Sequence, residues 1–415
     1  RPPAAVAVDG TSGTVLVQDA AGAARSPGLM YDDRRAADDA RAAAEAGAGL
    51  WDELGHRPQA GWGLPKARWL VRSGAVGPGD RIVHQADHVA ARLTGHPVAT
   101  DTSNALKTGY DLVRLRWPAE VLDALGLPAE LFPEVVRPGT ELGRVGAAAA
   151  AATGIPAGTP VRAGMTDGCA AQIAARALRP GSWSSALGTT LVVKGSTPQR
   201  LRDPGGAVYS HLNPDGGWLP GGASSTGAGV VARDFARADL AALTRAAAAY
   251  EPAPGICYPL AGQGERFPFL APGATGFADG VGAGPAARFA AVLQGIALVE
   301  RLAYDVLRGL GADTAGPVTF SGGATRNPYW TQLRADVLGR QVLLPAEVQA
   351  AAVVAVLAAA PPGELAGTAE RMVRIAAVVD PDPVRGARFD DAYDRLRTAL
   401  ADRGWLAGAA AGEPA

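Results

Sequence analysis

Short apolar runs typical of β-strands alternate along the chain with longer segments whose apolar residues recur at helical spacing. Near the start, Val6–Val8 and Thr14–Val17 flank a Gly/Thr/Ser turn, a pattern that predicts a β-hairpin. Helical spacing predicts helices over Lys66–Arg72 and Asp80–Leu93. The Pro- and Gly-rich stretch Leu127–Gly143 is typical of a connector. This alternation favours an α/β fold.

The pattern becomes sharper after residue 160. A short strand, Val161–Gly164, ends in a turn, and Thr166 is a candidate N-cap for the next helix. That helix is predicted to place one apolar face inward, made of Ala170, Ile173, Ala174, Ala177 and Leu178. Pro180-Gly181 predicts its end.

Beyond residue 181 the spacing predicts a second hairpin and a long helix. Strands over Ser182–Leu187 and Leu191–Val193 flank a Gly/Thr turn. Apolar spacing predicts a helix over Pro285–Gly309. A strand at Val318–Phe320 then leads into a glycine turn and a helix that opens at Asn327-Pro328.

Composition narrows the functional classes. The 415 residues are enough for two or three domains at about 150 residues each. The 39 basic residues nearly balance the 40 acidic ones, so no overall field attracts nucleic acid or a membrane surface. The longest apolar run, Ala350–Ala360, is short of the roughly 20 residues that cross a bilayer. Cys169 and Cys257 are too few for a disulfide framework, which favours the cytoplasm.

Three motifs could carry chemistry, and the first is Gly164–Gly168. Asp167 falls in the first turn of a predicted helix, where the helix dipole favours the ionised carboxylate. An ionised carboxylate can accept a proton from an attacking hydroxyl, as a general base does. The alternative is that Asp167 only stabilises the start of the helix.

The other two motifs are glycine turns. In Ser184–Thr190, a tight Gly/Thr turn could present backbone N–H groups and hydroxyls to phosphate, although an ordinary hairpin turn has the same composition. In Phe320–Trp330, a strand ends in two glycines before an Asn-capped helix, which lets a ligand approach the backbone; ordinary loop punctuation is the alternative. Neither motif has the spacing of a Rossmann fingerprint or a P-loop.

In this order, the segments resemble the FGGY carbohydrate kinases over nearly the whole chain. The resemblance is carried by Leu29–Arg35, Lys66–Leu70, Gly164–Gly168, Ala186–Thr190 and Gly322–Trp330. It implies a duplicated actin-like ATPase (ribonuclease H-like) α/β fold with two domains and a cleft. It also implies an ATP-dependent sugar kinase in which Asp167 is the catalytic base.

Within the family the sequence looks most like the D-ribulose-kinase branch, often described as xylulose-kinase-like. Four segments carry this likeness: Asp9–Thr14, Asn104–Asp111, Tyr209–His211 and Gly264–Pro268. The resemblance implies transfer of the ATP γ-phosphate to the terminal hydroxyl of a ketopentose, with D-ribulose as the first choice and D-xylulose or another pentulose or polyol as alternatives. It makes Ser12 a candidate contact for a sugar hydroxyl.

The N-terminus departs from the family pattern. FGGY kinases begin with a D-x-G-T hairpin that contacts phosphate and magnesium, whereas Asp9 and Gly10 are adjacent here. The Leu29–Arg35 segment also follows too soon, and the chain does not open with methionine. We therefore expect a first domain that is truncated at its N-terminus and lacks one metal-coordinating Asp.

The resemblance assigns a role to each candidate residue. Ser12, Asp33 and Asp167 would bind the sugar. The nucleotide would be bound by Gly188, Thr189, Thr190, Gly227, Gly322, Gly323 and Asn327. Mg²⁺ is implied by the phosphoryl transfer, but its ligands stay unassigned.

The predicted division is a sugar-binding domain over 1–180, a nucleotide-binding domain over 181–406 and a flexible tail over 407–415. Sugar and ATP are the expected partners of a monomer or homodimer. Two alternatives remain: a catalytically impaired nucleotide- or sugar-binding fragment, and an actin-like ATPase that acts on a partner.

Overall fold

The computed structural model describes residues 2–346 and 350–406. The predicted flexible tail, 407–415, lies outside the described residues. The first part of the chain contains many short elements: β1 Val6–Ala7, β2 Val15–Gln18, α1 Ala37–Ala46, α2 Ala48–Leu54, α3 Gly63–Arg72, β3 Arg81–His84, α4 Gln85–Thr94, β4 Thr100–Asp101, α5 Thr102–Ala105, α6 Ala119–Ala124, β5 Val135–Val136, β6 Glu141–Arg144, α7 Ala147–Thr153, β7 Pro160–Arg162 and α8 Asp167–Ala174.

The predicted first hairpin is wrong. β1 pairs in parallel with β7, with Val6 opposite Val161, and β7 pairs antiparallel with β6. β2 instead pairs antiparallel with β3. β1 and β2 therefore do not pair with each other. Gly10 forms an isolated parallel bridge with Thr166, so the chain after β1 continues alongside the segment that leads to α8.

Two further predictions need correction. Residues 81–84 of the predicted helix Asp80–Leu93 form β3, because Ile82 and Val83 pair with Val17 and Leu16 of β2. The predicted connector Leu127–Gly143 contains β5 and the start of β6.

The helix α8 is shorter than its apolar spacing predicts. It ends at Ala174, and Arg176 adopts a left-handed backbone conformation with φ 54°. Ala177 and Leu178 are buried but lie beyond the helix. Thr166 occupies the N-cap position without a side-chain cap bond.

The second part of the chain is built around a larger sheet. Its elements are β8 Trp183–Leu187, β9 Leu191–Gly195, β10 Tyr209–Leu212, β11 Trp218–Ala223, α9 Gly229–Asp234, α10 Leu240–Ala247, β12 Ile256–Tyr258, β13 Phe277–Asp279, α11 Pro285–Gly309, β14 Val318–Ser321, α12 Pro328–Leu338, β15 Val342–Pro345, α13 Ala350–Ala359, α14 Leu365–Met372, β16 Ile375–Val379, α15 Pro383–Ala387 and α16 Asp390–Asp402. Seven strands form one sheet in the order β10-β11-β9-β8-β14-β15-β16. The α/β class is confirmed.

Several predictions for this part are confirmed. β8 and β9 form the predicted antiparallel hairpin, with Leu187 opposite Leu191. The helix α11 has the predicted bounds, with Pro285 in its first turn. Asn327 caps α12, because its side chain accepts a hydrogen bond from the Trp330 backbone N–H.

A buried cluster joins the two parts of the chain. Met165, Cys169 and Ile173 from α8 and the turn before it pack with Leu219 of β11 and with apolar residues of α13 and α14. The helix that begins at Asp167 is therefore fixed against the large sheet. Within the described residues, no helix combines the length and apolar character needed to span a membrane.

Candidate active site

The glycine turn Gly188–Thr190 joins β8 to β9 and is braced from behind. Residues 224–229, which follow β11 and are called the backing loop below, hydrogen-bond to it along the backbone. These bonds run from Ser224 N–H to Leu191 O (2.8 Å), Leu191 N–H to Thr226 O (2.8 Å), Ala228 N–H to Gly188 O (2.9 Å) and Gly229 N–H to Thr189 O (3.1 Å). A Cβ on Gly227 would lie 2.5 Å from Thr189 O, so this close approach requires glycine.

A cavity of about 770 Å³ opens beside this turn. Gly188 and Thr189 line one side, and Gly323 and Asn327 line another. The walls between them are largely apolar and include Val231, Phe289, Leu293 and Trp330. An apolar cavity of this size with a few polar groups at its edge suits a flat heterocycle attached to polar groups. Four of the predicted nucleotide-binding residues therefore share one cavity.

The other predicted nucleotide-binding residues lie at the edge of this cavity without lining it. Gly322 has φ +86°, and a Cβ there would approach Leu187 O to 2.5 Å, so glycine lets the turn after β14 pack against the β8–β9 hairpin. Gly227 supports the turn from behind, and Thr190 completes the turn. The Asn327 side chain also donates to Thr244 Oγ1 (3.1 Å), which fixes its orientation.

Asp167 is exposed at the first position of α8. Its backbone N–H donates to Gly10 O (3.0 Å), and Gly10 N–H donates to Met165 O (3.3 Å). Its Oδ1 accepts from the Gly168 N–H (2.7 Å). The loop after β1 therefore runs directly beside the start of α8 and leaves the carboxylate accessible.

Asp9 is a functional candidate that sequence analysis missed as a site residue. Burial is the main cause that raises the pKa of Asp9, and the nearby Asp167 carboxylate raises this pKa further, against a backbone hydrogen bond that lowers it. Two carboxylates thus face one region. An Asp directly after a strand and before a glycine was the available signal, but only the pairing of β1 with β7 brings it to α8.

Lys194 is a second residue that sequence analysis did not single out. Its Nζ donates to Cys169 Sγ (3.7 Å) and would lie 3.5 Å from a Cβ on Gly168, so it reaches the first turn of α8. Burial lowers the pKa of Lys194, but the neighbouring Cys169, Tyr209 and Asp167 outweigh this and hold the pKa above its ordinary value. The Lys194 amine therefore lies beside the helix start that carries Asp167.

A buried polar network supports the turn before Asp167. Asp101 caps α5 and accepts hydrogen bonds from Ser103 Oγ (2.5 Å) and Asn104 Nδ2 (2.5 Å). Ser103 Oγ in turn accepts from the Thr166 N–H (2.8 Å). The likeness segment that begins at Asn104 therefore adjoins a network that positions the start of α8.

Ser12 lies in the same loop as Asp9 and Gly10. Its Oγ is buried and has no hydrogen-bond partner among the described residues. Buried hydroxyl groups are normally hydrogen-bonded, so a buried hydroxyl without a protein partner is a candidate to bond a ligand.

Asp33 is not brought to Asp167 by any contact that the structure describes. Its carboxylate is held by Arg35, at 2.9 Å from Nε and 2.8 Å from Nη2. The hydrogen bond to Arg35 lowers the pKa of Asp33. Its assignment to sugar binding stays a prediction.

Lys66 joins the loop that contains Ser12 to two other segments of the chain, near residues 30 and 61. Its side chain is fully buried, and Nζ donates to Gly13 O (2.9 Å), Met30 O (2.6 Å) and Gly61 O (2.8 Å). Burial lowers the pKa of Lys66 to about 8, so the ammonium is still protonated at neutral pH. The three carbonyls thus use all three of its donors.

Replacing Lys66 with methionine should loosen the Ser12 loop, because three buried carbonyls lose their donor. For the sugar and ATP that the family resemblance implies as substrates, we expect the KM of the sugar to rise on the order of tenfold while the KM of ATP changes little. Steady-state kinetics with each substrate varied in turn would measure both values. Arg81→Gln, at the exposed end of β3, is the control, and a rise confined to the ATP KM would contradict the assignment.

The sequence matches two family models. The N-terminal domain of the FGGY family of carbohydrate kinases matches over residues 3–174, and the C-terminal domain of the same family matches over residues 184–361. The chain belongs to the FGGY family of carbohydrate kinases. Its division at residue 180 stays a prediction.

Individual relatives agree with this assignment. The xylulose kinase of Streptomyces rubiginosus is 30% identical over 409 aligned residues, and the match covers 96% of this chain and 82% of that protein. The crystal structure of a xyloylose kinase from Brucella ovis superposes with a TM-score of 0.85 at 24% identity, over 96% of this chain and 85% of that one. A xylulose kinase from Rhodospirillum rubrum gives 0.83 at 25% identity, over 97% and 85%.

The predicted fold and enzyme class are therefore confirmed. The chain has the two-domain, actin-like α/β fold of the FGGY kinases, and it is a sugar kinase, a phosphotransferase of a family that uses ATP.

Proposed function

We propose that the protein transfers the γ-phosphate of ATP to the terminal hydroxyl of a ketopentose, with D-ribulose as the acceptor. The observation that carries this proposal is the accessible Asp167 carboxylate, which lies beside the Asp9–Ser12 loop at the start of a helix packed on the nucleotide-side sheet. The name of the Streptomyces relative, a xylulose kinase, supports a pentulose. The likeness segments around Ser12 and Asn104 favour D-ribulose among the pentuloses.

In this mechanism Asp167 takes the proton from the sugar hydroxyl as that hydroxyl attacks. Phosphoryl transfer depends on positioning and charge neutralisation more than on covalent chemistry, so the remaining residues act by holding the reactants. Ser12 and Asp33 would orient the sugar. The Gly188–Thr190 turn, braced by Gly227, would hold the β- and γ-phosphates, and the cavity beside Gly322, Gly323 and Asn327 would hold adenosine.

Mg²⁺ fits the residues present. This ion is commonly bound by one or two carboxylates together with substrate phosphates, rather than by a full cage of protein ligands. Asp9 lies close enough to Asp167 for that carboxylate to raise the pKa of Asp9, and Asp9 would hold the ion together with the substrate phosphates. When bound, Mg²⁺ would neutralise the charge that develops on the phosphate oxygens. Among the described residues no group of three or more His, Cys, Asp or Glu side chains is placed to hold a metal ion.

ADP release measured across a panel of pentuloses tests this proposal. We expect D-ribulose to give a kcat/KM at least about tenfold above that of D-xylulose, because a site built to bond particular hydroxyls rejects an epimer. A preference for D-xylulose would overturn the choice of sugar. ADP release that does not depend on any sugar would instead favour an ATPase acting on a partner.

A further inference from the structure

Glu265 is a buried carboxylate whose hydrogen-bond partners are all neutral. Only 1% of the residue is exposed. Oε2 accepts from Ser224 Oγ (2.9 Å), Thr226 Oγ1 (3.3 Å) and Tyr258 OH (2.6 Å). Oε1 accepts from the backbone N–H groups of Ser225 (2.6 Å), Arg266 (2.8 Å) and Phe267 (3.5 Å). Burying a charged group costs free energy unless the group is fully hydrogen-bonded. These six hydrogen bonds are what stabilise the Glu265 side chain in the interior.

Three of these six donors belong to the backing loop. Ser224, Ser225 and Thr226 each bond the carboxylate, and Ser224 Oγ also accepts from the Thr226 N–H (2.9 Å). Three consecutive residues of the loop therefore bond to one side chain, that of Glu265, which lies about 40 residues further along the chain. Its own backbone then bonds the Gly188–Thr190 turn on the opposite side.

We propose that Glu265 is a positioning residue for the phosphate-binding turn and acts on it through the backing loop. The inference rests on the proposed role of that turn in holding the β- and γ-phosphates. A glycine turn has little conformational preference of its own, so its N–H groups point at phosphate only if neighbouring structure fixes them. The backing loop provides that structure, because Gly227 packs within van der Waals contact of Thr189 and Thr190. Glu265 fixes the backing loop.

The variant Glu265→Gln tests this role by nucleotide binding alone. The amide keeps the size of the side chain but replaces one acceptor oxygen by an NH₂ donor. Either the three backbone N–H groups lose their acceptor, or the three hydroxyls must turn to accept from the amide. Most residues that line the adenosine cavity come from α10, α11 and residues 323–330, although Ala228 and Gly229 of the backing loop also reach it. We therefore expect the Kd for ADP, measured by calorimetry, to rise about tenfold. The Kd for adenosine should change less than about twofold on the same scale.

Two comparisons make the result decisive. Glu370→Gln is the matched control, since it makes the same carboxylate-to-amide change at a residue that bonds Arg179 and not the backing loop. If Glu265→Gln fails to fold, Tyr258→Phe removes a single donor and should still weaken ADP selectively. Equal weakening of ADP and adenosine, or no change in either, would overturn the inference. If the pentulose panel shows no sugar-dependent activity, the nucleotide-binding test still gives a clear result, because it contains no sugar.

Discussion

Asp167→Asn is expected to lower kcat by a factor of about 10² to 10⁴ while the Kd for ATP stays nearly unchanged. The amide keeps the shape of the side chain at the first position of α8, but it cannot accept a proton from the sugar hydroxyl. The carboxylate makes its hydrogen bond to the following Gly168 N–H, which an amide oxygen can also accept. The local backbone should therefore stay in place. Coupled ADP release and calorimetric ATP binding measure the two quantities.

A matched variant separates this role from simple stabilisation of a helix start. Asp38 lies in the first turn of α1, and 80% of its side chain is exposed. Asp38→Asn makes the same chemical change, also in the first turn of a helix, and should leave kcat within about twofold, because exposed surface changes have small effects. If Asp167→Asn keeps wild-type turnover, as this control should, the general-base assignment is wrong.

Breaking the buried ion pair between Glu300 and Arg334 is expected to have the largest effect on stability. Both side chains are fully buried, and two hydrogen bonds of 2.6 and 2.8 Å join them. The Arg334 guanidinium also lies 3.7 Å from the centre of the Phe320 ring in β14. Arg334→Met should lower the free energy of unfolding by about 3–5 kcal/mol, because it leaves the Glu300 carboxylate buried without a partner.

Urea unfolding of three variants tests this expectation. The double variant Glu300→Leu/Arg334→Met should recover most of the loss, since removing both charges also removes their desolvation cost. Arg308→Gln, on the same helix α11, removes an exposed pair with Asp305 and should cost less than about 1 kcal/mol. A loss for Arg334→Met as small as that for Arg308→Gln would show that the buried pair contributes little.

Local signals predicted those elements whose partners are close in sequence. β8 and β9 are joined by a turn of three residues, so their pairing follows from the turn and the apolar pattern. The bounds of α11 follow from a long apolar period that starts at a proline. The same reasoning failed for β1 and β2. Both segments are strands, as the apolar pattern predicted, but they do not pair with each other. β1 pairs with β7, near residue 161, and β2 pairs with β3, near residue 83.

The candidate site divides in the same way. Glycine turns and an Asp at the start of a helix can be recognised in the sequence. They identified five of the candidate site residues: Asp167, Gly188, Thr189, Gly323 and Asn327. Lys194, Asp9 and Glu265 were not assigned roles, because a single charged residue in a strand or loop has no distinctive local pattern. Their importance depends on which groups surround them.

The sequence by itself determined the α/β class, the family and the residue types suited to phosphoryl transfer, because these depend on periodicity and on short motifs. The tertiary structure alone decided that the loop after β1 lies beside Asp167, that Lys194 reaches the same helix start and that Glu265 gathers the backing loop. The physical reason is that each of these contacts joins segments far apart in the chain. Such contacts form only when burial of the apolar faces selects one arrangement of helices and strands.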